Sequence, residues 1–487
     1  MQTRLMLVLP VLVALVLLAG AAPAAASDPS AASFSPSPLP LGLPFTELSP
    51  SPGGSVYGFA GVSVAIDGDT ALVGSPWRYP EVDAAFVYRR QNGIWSQEAT
   101  LTAPGGVPGD TFGFAVALEG DTAVVGAPDV ALDYGIPGAA YVFRRVSGSW
   151  SAVATLTADV PEDLDGFGHS VALRGDTVLV GAPGLRDHGA AFVFRATGAG
   201  WTREATLTAS RPTEQFGFSV ALDGDTALIG APLFNSDPTP ARGAAYVFTR
   251  AGTTWTERTA LTARTGVERG IYGYDVALDG GTALVGECGY WSGLDGAAYA
   301  YEGAGGVWRL RSTLSPSGRD ETFAYSVALD GGLALVGAPH HSTPGRVTDG
   351  AAYVYSRWGA KWEPRGLVVP QSADADAEVA LSVGLCGADV IVGAPGQSAG
   401  RGAAFVGALT ATIIPSVTGG GGRIGPSYPL TVPWGAQPRF TFTPQAGYRV
   451  QRVVIDGGHT IYDVTSYHFP PVCEDHTIAV EFVRKGL

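Results

Sequence analysis

Phe167-Gly168-His169-Ser170-Val171-Ala172-Leu173-Arg174-Gly175-Asp176-Thr177-Val178-Leu179-Val180-Gly181-Ala182-Pro183 is the stretch that decides how this 487-residue chain is read. Its Gly-Ala-Pro end returns, with small changes, at Gly74, Gly126, Gly230, Gly286, Gly337 and Gly393. The seven copies stand 49 to 56 residues apart. A recurrence near 50 residues marks a solenoid or a propeller, in which each unit buries its apolar faces against its neighbours.

Four short strands are predicted in each copy. Phe167 to Leu173 is the first, with small residues that suit a crowded position. Gly175-Asp176 makes a tight turn into the β-branched second strand, Thr177 to Gly181. A loop of variable length leads to the third, Gly189 to Phe194, and Trp201 to Thr208 is the fourth. Four antiparallel strands per unit make a propeller blade. Trp95, Trp150, Trp201, Trp255, Trp308 and Trp362 keep step with the repeat and are expected to pack between neighbouring sheets. The seventh copy lacks the Trp and its Leu-Thr-Ala strand, whereas Phe45-Thr46-Glu47-Leu48-Ser49-Pro50 resembles that strand ahead of the first copy. The N-terminal strand is therefore expected to complete the last blade and remove two exposed edges.

The fold class that follows is all-β: a seven-bladed β-propeller followed by a small β-sandwich. The expected organisation is a signal peptide over residues 1–26, a Ser/Pro-rich spacer over 27–43, the propeller over 44–408 and the sandwich over 409–487. Arg4, the apolar run Leu5 to Leu18 and Ala24-Ala25-Ala26 carry the export reading. Removing that segment takes the formal charge from −14 to −15, an acidic balance that argues against nucleic acid and anionic membrane as partners. The mature chain is expected to be a monomer, secreted or at the cell surface, with no membrane insertion after cleavage. Cys288, Cys386 and Cys473 form no disulfide framework and no metal-binding spacing.

Phe-Gly stands literally at Phe112-Gly113, Phe167-Gly168 and Phe216-Gly217, and as Tyr272-Gly273 in another copy. With Gly-Ala-Pro in five copies, the repeats resemble FG-GAP repeats, the unit of the propeller at the head of integrin α chains. The resemblance covers about Phe45 to Val406. Copy one has Gly74-Ser75-Pro76, and copy five breaks the motif as Gly286-Glu287-Cys288. The tail, with segments such as Phe440-Thr441-Phe442-Thr443-Pro444, is similar to the bacterial repeat domains of secreted and surface proteins. In integrins several first-to-second-strand loops hold Ca²⁺. The matching turns here, such as Asp67-Gly68-Asp69 and Asp223-Gly224-Asp225, are too short for a calcium ligand set, so they are read as hairpin turns and no metal or other cofactor is expected. Arg174-Gly175-Asp176 spells the tripeptide that integrins recognise, but the repeat register supplies its Gly-Asp in any case.

No zinc-protease histidine spacing and no Gly-x-Ser-x-Gly elbow is present. His340-His341 reads as an ordinary loop, and Asp163 and Asp165 precede a first strand. The loops between second and third strands must share one face, which in integrins meets the ligand. That face carries Trp77, Tyr79, Tyr134, Asp133 and Asp187, and in the fourth and fifth copies Phe234, Asn235, Asp237, Tyr290 and Trp291. The last five are the candidate ligand-binding residues, with a protein or a glycan as partner. The expected function is a non-enzymatic binding or adhesion module. A structural surface component without a specific ligand is the alternative, and a secreted hydrolase or lyase a lesser third reading.

Overall fold

Glycine at one fixed place in every repeat, and at a second in five of the seven, sets how closely neighbouring units approach. In the computed structural model of the chain, the residues described are 41, 43–50, 58–78, 80–128, 138–158, 166–184, 188–198, 200–210, 215–232, 243–263, 271–289, 293–342, 350–359 and 361–485. The chain is all-β and propeller-like, built from successive four-stranded antiparallel sheets. The third sheet is typical: Ser170–Arg174, Thr177–Ala182, Ala190–Thr197 and Gly200–Leu207 lie side by side in chain order. The first, second, fourth, fifth and sixth sheets repeat it, and begin at Ser63, Ala115, Ser219, Ile271 and Ser326. The seventh joins Val383–Cys386, Asp389–Ala394 and Ala403–Ala408 to Thr46–Leu48, with Glu47 opposite Phe405.

The first strand of the third sheet begins at Ser170, not at Phe167 as the sequence predicts. Gly168 is the cause: its φ of +95° turns the chain just before the strand. A Cβ there would lie 2.3 Å from the carbonyl oxygen of Ala139 in the preceding sheet. The Gly-Ala-Pro glycine meets the same demand from the other side. A Cβ on Gly181 would lie 1.9 Å from the carbonyl oxygen of Gly217 in the next sheet. The Gly-Ala-Pro glycine, present in all seven copies, is thus required by backbone-to-backbone approach between adjacent sheets, whereas the Phe-Gly place holds Ala324 and Ala380 in the sixth and seventh sheets, at φ of 65° and 67°.

First strands touch in sequence from sheet to sheet, and the strands starting at Val383 and Ser63 also touch, so the cycle of contacts returns to its start. The core is correspondingly a set of layers between sheets. Leu72, Ala85 and Val87 of the first sheet pack on Ala123, Val125 and Phe143 of the second. Second strands have neighbours on every side, and Thr177–Ala182 is buried along its whole length.

The short turns hold the cycle together at one end. The Gly120 N–H donates to Asp67 Oδ2 of the preceding sheet at 2.6 Å, and the Gly175 N–H donates likewise to the Glu119 carboxylate. Asp223 takes the Gly280 N–H, Asp279 that of Gly331 and Asp330 that of Gly387, at 3.0, 2.8 and 2.5 Å. Cys386 Sγ takes the Gly68 N–H at 3.5 Å between seventh and first sheets. Arg174 occupies the corresponding place in the third sheet and instead faces Glu119 and Asp223, at 3.7 and 3.4 Å. It is spent on a bridge across three sheets.

Farther out, tryptophan and arginine join sheet to sheet. The Trp150 indole N–H donates to Glu98 of the preceding sheet at 3.0 Å, beneath the Arg145 guanidinium. Trp255, Glu204 and Arg250 repeat the arrangement. Between first and seventh sheets Arg90 is bidentate to Asp389, at 3.1 and 2.7 Å. Beyond Ala408 a five-stranded sheet centres on Thr410–Thr418, His476–Arg484 and Tyr448–Ile455, and Gly422–Gly425, Arg439–Pro444 and Ser466–His468 form a three-stranded one. Ile413, Phe440, Phe442, Ile478 and Phe482 fill a core continuous with that of the seventh sheet. Cys288, Cys386 and Cys473 form no disulfide.

Candidate functional site in the axial pocket

Where the first strands converge, at the end away from the turns, a cavity of about 350 Å³ opens. Its wall is made by one column of the repeat, the residue after the Phe-Gly pair. Reading round the sheets, that column is Val62, Phe114, His169, Phe218, Tyr274, Tyr325 and Leu381, and all seven line the cavity. Phe59 and Trp77 complete the wall beside Leu381 and Pro395. The aromatic rings form an unbroken series. Centroids are 6.0 Å apart for Phe59 and Trp77 and for Trp77 and Phe114. They are 5.0 Å for Phe114 and His169, 4.5 Å for His169 and Phe218, 5.1 Å for Phe218 and Tyr274, and 4.8 Å for Tyr274 and Tyr325. Tilted and edge contacts of this kind fix ring positions and give a rigid apolar wall.

The next column is polar. Ser63, Ser170, Ser219, Ser326 and Ser382 hold it in five sheets. Each hydroxyl donates to a backbone carbonyl of the following sheet, those of Gly113, Gly217, Gly273, Ala380 and Gly61, at 2.8 to 3.1 Å. Ala115 stands there in the second sheet and Asp275 in the fifth. Asp275 reverses the polarity of the link: its Oδ1 accepts the Val276 N–H at 2.9 Å and its Oδ2 the Val327 N–H of the sixth sheet at 2.7 Å. Among the described residues lining the cavity it is the one acid, and none of them is a lysine or arginine.

Poor solvation lifts the Asp275 carboxyl to about 7, and the two backbone N–H groups only partly oppose that rise. Desolvation also lowers His169 to about 4, so the imidazole is neutral at pH 7. With Nδ1 2.9 Å from the Phe218 carbonyl oxygen, the neutral ring donates from Nδ1. Tyr274 is held protonated by burial first, with Tyr325, Cys288 and Asp275 adding to it. The fifth sheet is where Glu287 and Cys288 replace Ala and Pro of the motif. Cys288 packs beside Tyr274 and Ile271, and the buried Glu287 accepts the Tyr299 hydroxyl at 2.6 Å.

Polar clusters elsewhere are tied into the framework. Asp83 stands where six sheets have glycine before Ala-Ala, and accepts the N–H groups of Arg78 and Thr111, both at 2.8 Å. Burial raises it to about 7, beside Asp110. His341 is held by Asp320 Oδ2 at 2.8 Å and by the Tyr353 hydroxyl at 3.2 Å. Among the described residues no group of three or more His, Cys, Asp or Glu side chains could hold a metal ion.

Of the loop residues singled out from sequence, Trp77 turns into the axial cavity. Phe234, Asn235, Asp237, Tyr290 and Trp291, with Tyr79, Asp133, Tyr134 and Asp187, lie outside the described residues, as do Asp163 and Asp165. Sequence reasoning passed over the two columns of the axial site. The signal for them was Asp275 in a serine column, visible once the seven copies are aligned on Phe-Gly.

Comparison with known proteins gives a family. No curated protein sequence matches the chain. Among solved structures, the periplasmic gluconolactonase of Pseudomonas aeruginosa is 17% identical, with a TM-score of 0.44 over 64% of this chain and 86% of that one. A chain from Bacteroides uniformis, provisionally named a 6-phosphogluconolactonase, is 12% identical, with a TM-score of 0.46 over 66% of this chain and 88% of its own. Both carry enzyme names, and on that finding the expectation of a non-enzymatic binding or adhesion module is corrected. The wall of the axial cavity carries Asp275, a desolvated carboxyl at a position that the loop-face reading does not include. The profile of the FG-GAP repeat matches residues 95–143, 150–194, 201–248 and 308–355. With Phe-Gly and Gly-Ala-Pro both explained by the approach of neighbouring sheets, this chain is an FG-GAP repeat protein.

Proposed function

We propose that the seven sheets are the blades of one closed propeller, with a β-sandwich appended from about residue 409, and that the axial pocket is the active site of a small-molecule enzyme. The observation that carries this reading is Asp275, a carboxyl near neutrality in an aromatic-walled cavity. A group poised near 7 can give or take a proton at little cost, which is what general acid–base catalysis requires. The cavity size supports a compact ligand, since small-molecule sites begin near 300 Å³. Asp275 would exchange a proton with the bound molecule, the aromatic wall would orient it, and the neutral His169 imidazole would leave the cavity without a competing positive charge.

The test is a panel of small carbonyl compounds, including esters and lactones, assayed from pH 5 to 9 with the parent chain and with Asp275→Ser. Serine is the residue of five sister sheets, so the variant keeps the local fold. Turnover that changes through pH 7 and is lost in Asp275→Ser is expected. Turnover that survives the substitution would remove Asp275 from the chemistry. The leading apolar segment supports export, and N-terminal sequencing of the exported chain should then begin near Ser27.

A further inference from the structure

The polar atoms around the cavity are largely committed to the framework. Five serine hydroxyls donate to backbone carbonyls, and His169 Nδ1 donates to Phe218. An anionic ligand would find no cationic side chain among the described lining residues, and a sugar would find few donors. What remains is ring surface, the mutually bonded hydroxyls of Tyr274 and Tyr325, and one carboxyl. Aromatic faces attract cations through their quadrupole, more strongly when water is excluded. The carboxyl of Asp275 has lone pairs beyond the two that accept Val276 and Val327.

We propose that the axial pocket takes a small organic cation, with an alkylammonium group held against Asp275 by the aromatic wall. This rests on the axial-pocket reading and names its substrate class. Charge complementarity supports it at both scales, since the chain carries a formal charge of −14 and Asp275 is the acid of the wall. The cation would also change the state of Asp275. Free, the carboxyl is largely protonated below 7, because the Val276 and Val327 N–H groups only partly offset its poor solvation. An ammonium at contact distance favours the ionised form, so binding expels the proton and leaves a carboxylate, the basic form, beside the ligand. The titratable groups that share the cavity are His169, Tyr274 and Tyr325, and the two with resolved shifts, His169 and Tyr274, are uncharged at this pH. On the strands packed either side of Asp275, the acids Asp223 and Asp330 sit at the opposite, turn end and cap neighbouring glycines.

The experiment is isothermal calorimetry with choline and with 3,3-dimethylbutan-1-ol, which has the same shape without the charge. Choline is expected to bind about tenfold or more tightly than the alcohol. At pH 6 its binding should release close to one proton, read as a difference in heat between phosphate and imidazole buffers. Asp275→Asn and Asp275→Ser should each abolish the preference and the proton release while keeping the alcohol's affinity. Equal affinity for the two probes, or choline binding without proton release, overturns the cation assignment and leaves the axial pocket standing, because the alcohol still occupies it. Heat from neither probe overturns both.

Discussion

Replacing Asp275 by asparagine should change the pH dependence of stability in a direction that the structure fixes. In the fold the carboxyl is held near 7, against 3.8 when unperturbed. Between those values the folded chain keeps a proton that the unfolded chain has lost. Stability from this group is therefore complete below about pH 4 and falls as pH rises to 7. A gap of that size corresponds to about 4 kcal/mol if fully expressed. Because Asp275 is half-buried and faces a cavity, about 2 kcal/mol is the better figure. His169 works in the opposite sense: held down to about 4, it stays neutral while the unfolded chain takes up a proton below 6.5, so its contribution grows with pH. The buried Asp83, also near 7, acts with Asp275. Asp110, also raised, joins them, and the depressed Asp176 and Asp456 act with His169, so the contribution of Asp275 is read from a difference between two chains. The assay is urea unfolding of the parent and Asp275→Asn at intervals from pH 4 to 8. Asparagine cannot ionise, so the difference between the curves isolates Asp275 whatever the fixed cost of the substitution. The variant should gain on the parent by about 2 kcal/mol from pH 4 to 8. Parallel curves would refute the account of this carboxyl.

Deleting residues 27–50 should remove the strand Thr46–Leu48 from the seventh sheet and with it the buried Leu48, at about 2 kcal/mol for that side chain alone; a lower melting temperature and self-association in light scattering are expected through the bared edge of Ala403–Ala408. Asp389→Ala leaves the partly exposed Arg90 with Asp69 alone and should destabilise by about 1 kcal/mol in urea unfolding, with no change in the oligomeric state. Gly181→Ala should lower stability by roughly 3 kcal/mol or more, since its Cβ would lie 1.9 Å from a backbone oxygen. Gly175→Ala, at φ +58° with open space around it, should lose only about 1 kcal/mol; equal melting temperatures for the two variants would contradict the close-approach account of the motif.

The repeat was legible because its glycines answer a steric demand. Gly181 sits where a Cβ would strike the neighbouring sheet and its glycine recurs wherever two sheets meet, whereas alanine takes the place of Gly168 in the sixth and seventh sheets. Strand order followed from the two-residue turns and the Gly-Ala-Ala starts. The acids of those turns were read only as turn residues. That Asp67 caps Gly120 of the next sheet depends on a rotation between sheets that a linear sequence does not carry. The axial site was hidden for the same reason. Val62, Phe114, His169, Phe218, Tyr274, Tyr325 and Leu381 read singly as ordinary strand residues, and become one wall only when the strands converge. In the sequence the loops stand out instead, since contacts usually lie on loops held by a rigid scaffold. Trp77, noted there, proved to face the axis.

The first strand of each sheet divides two tasks between its ends. At the turn end, Asp279 of the fifth sheet caps Gly331, as its counterparts cap their own neighbours, and the hydrogen bonds hold sheet to sheet. At the pocket end the serine column makes the equivalent link by donating to a carbonyl. A serine hydroxyl makes that link without ionising, so the column contributes to the framework at any pH. Asp275 makes its link as an acceptor, through Val327 N–H, and stands where water is scarce. That exchange sacrifices stability at neutral pH and places an acid of adjustable charge in the cavity. Nothing in sheet-to-sheet packing asks for it, since Ala115 occupies the same column in the second sheet with no polar side chain at all. A departure that weakens the framework at one copy, in the one lining position that carries an acid, is best explained by what the cavity binds.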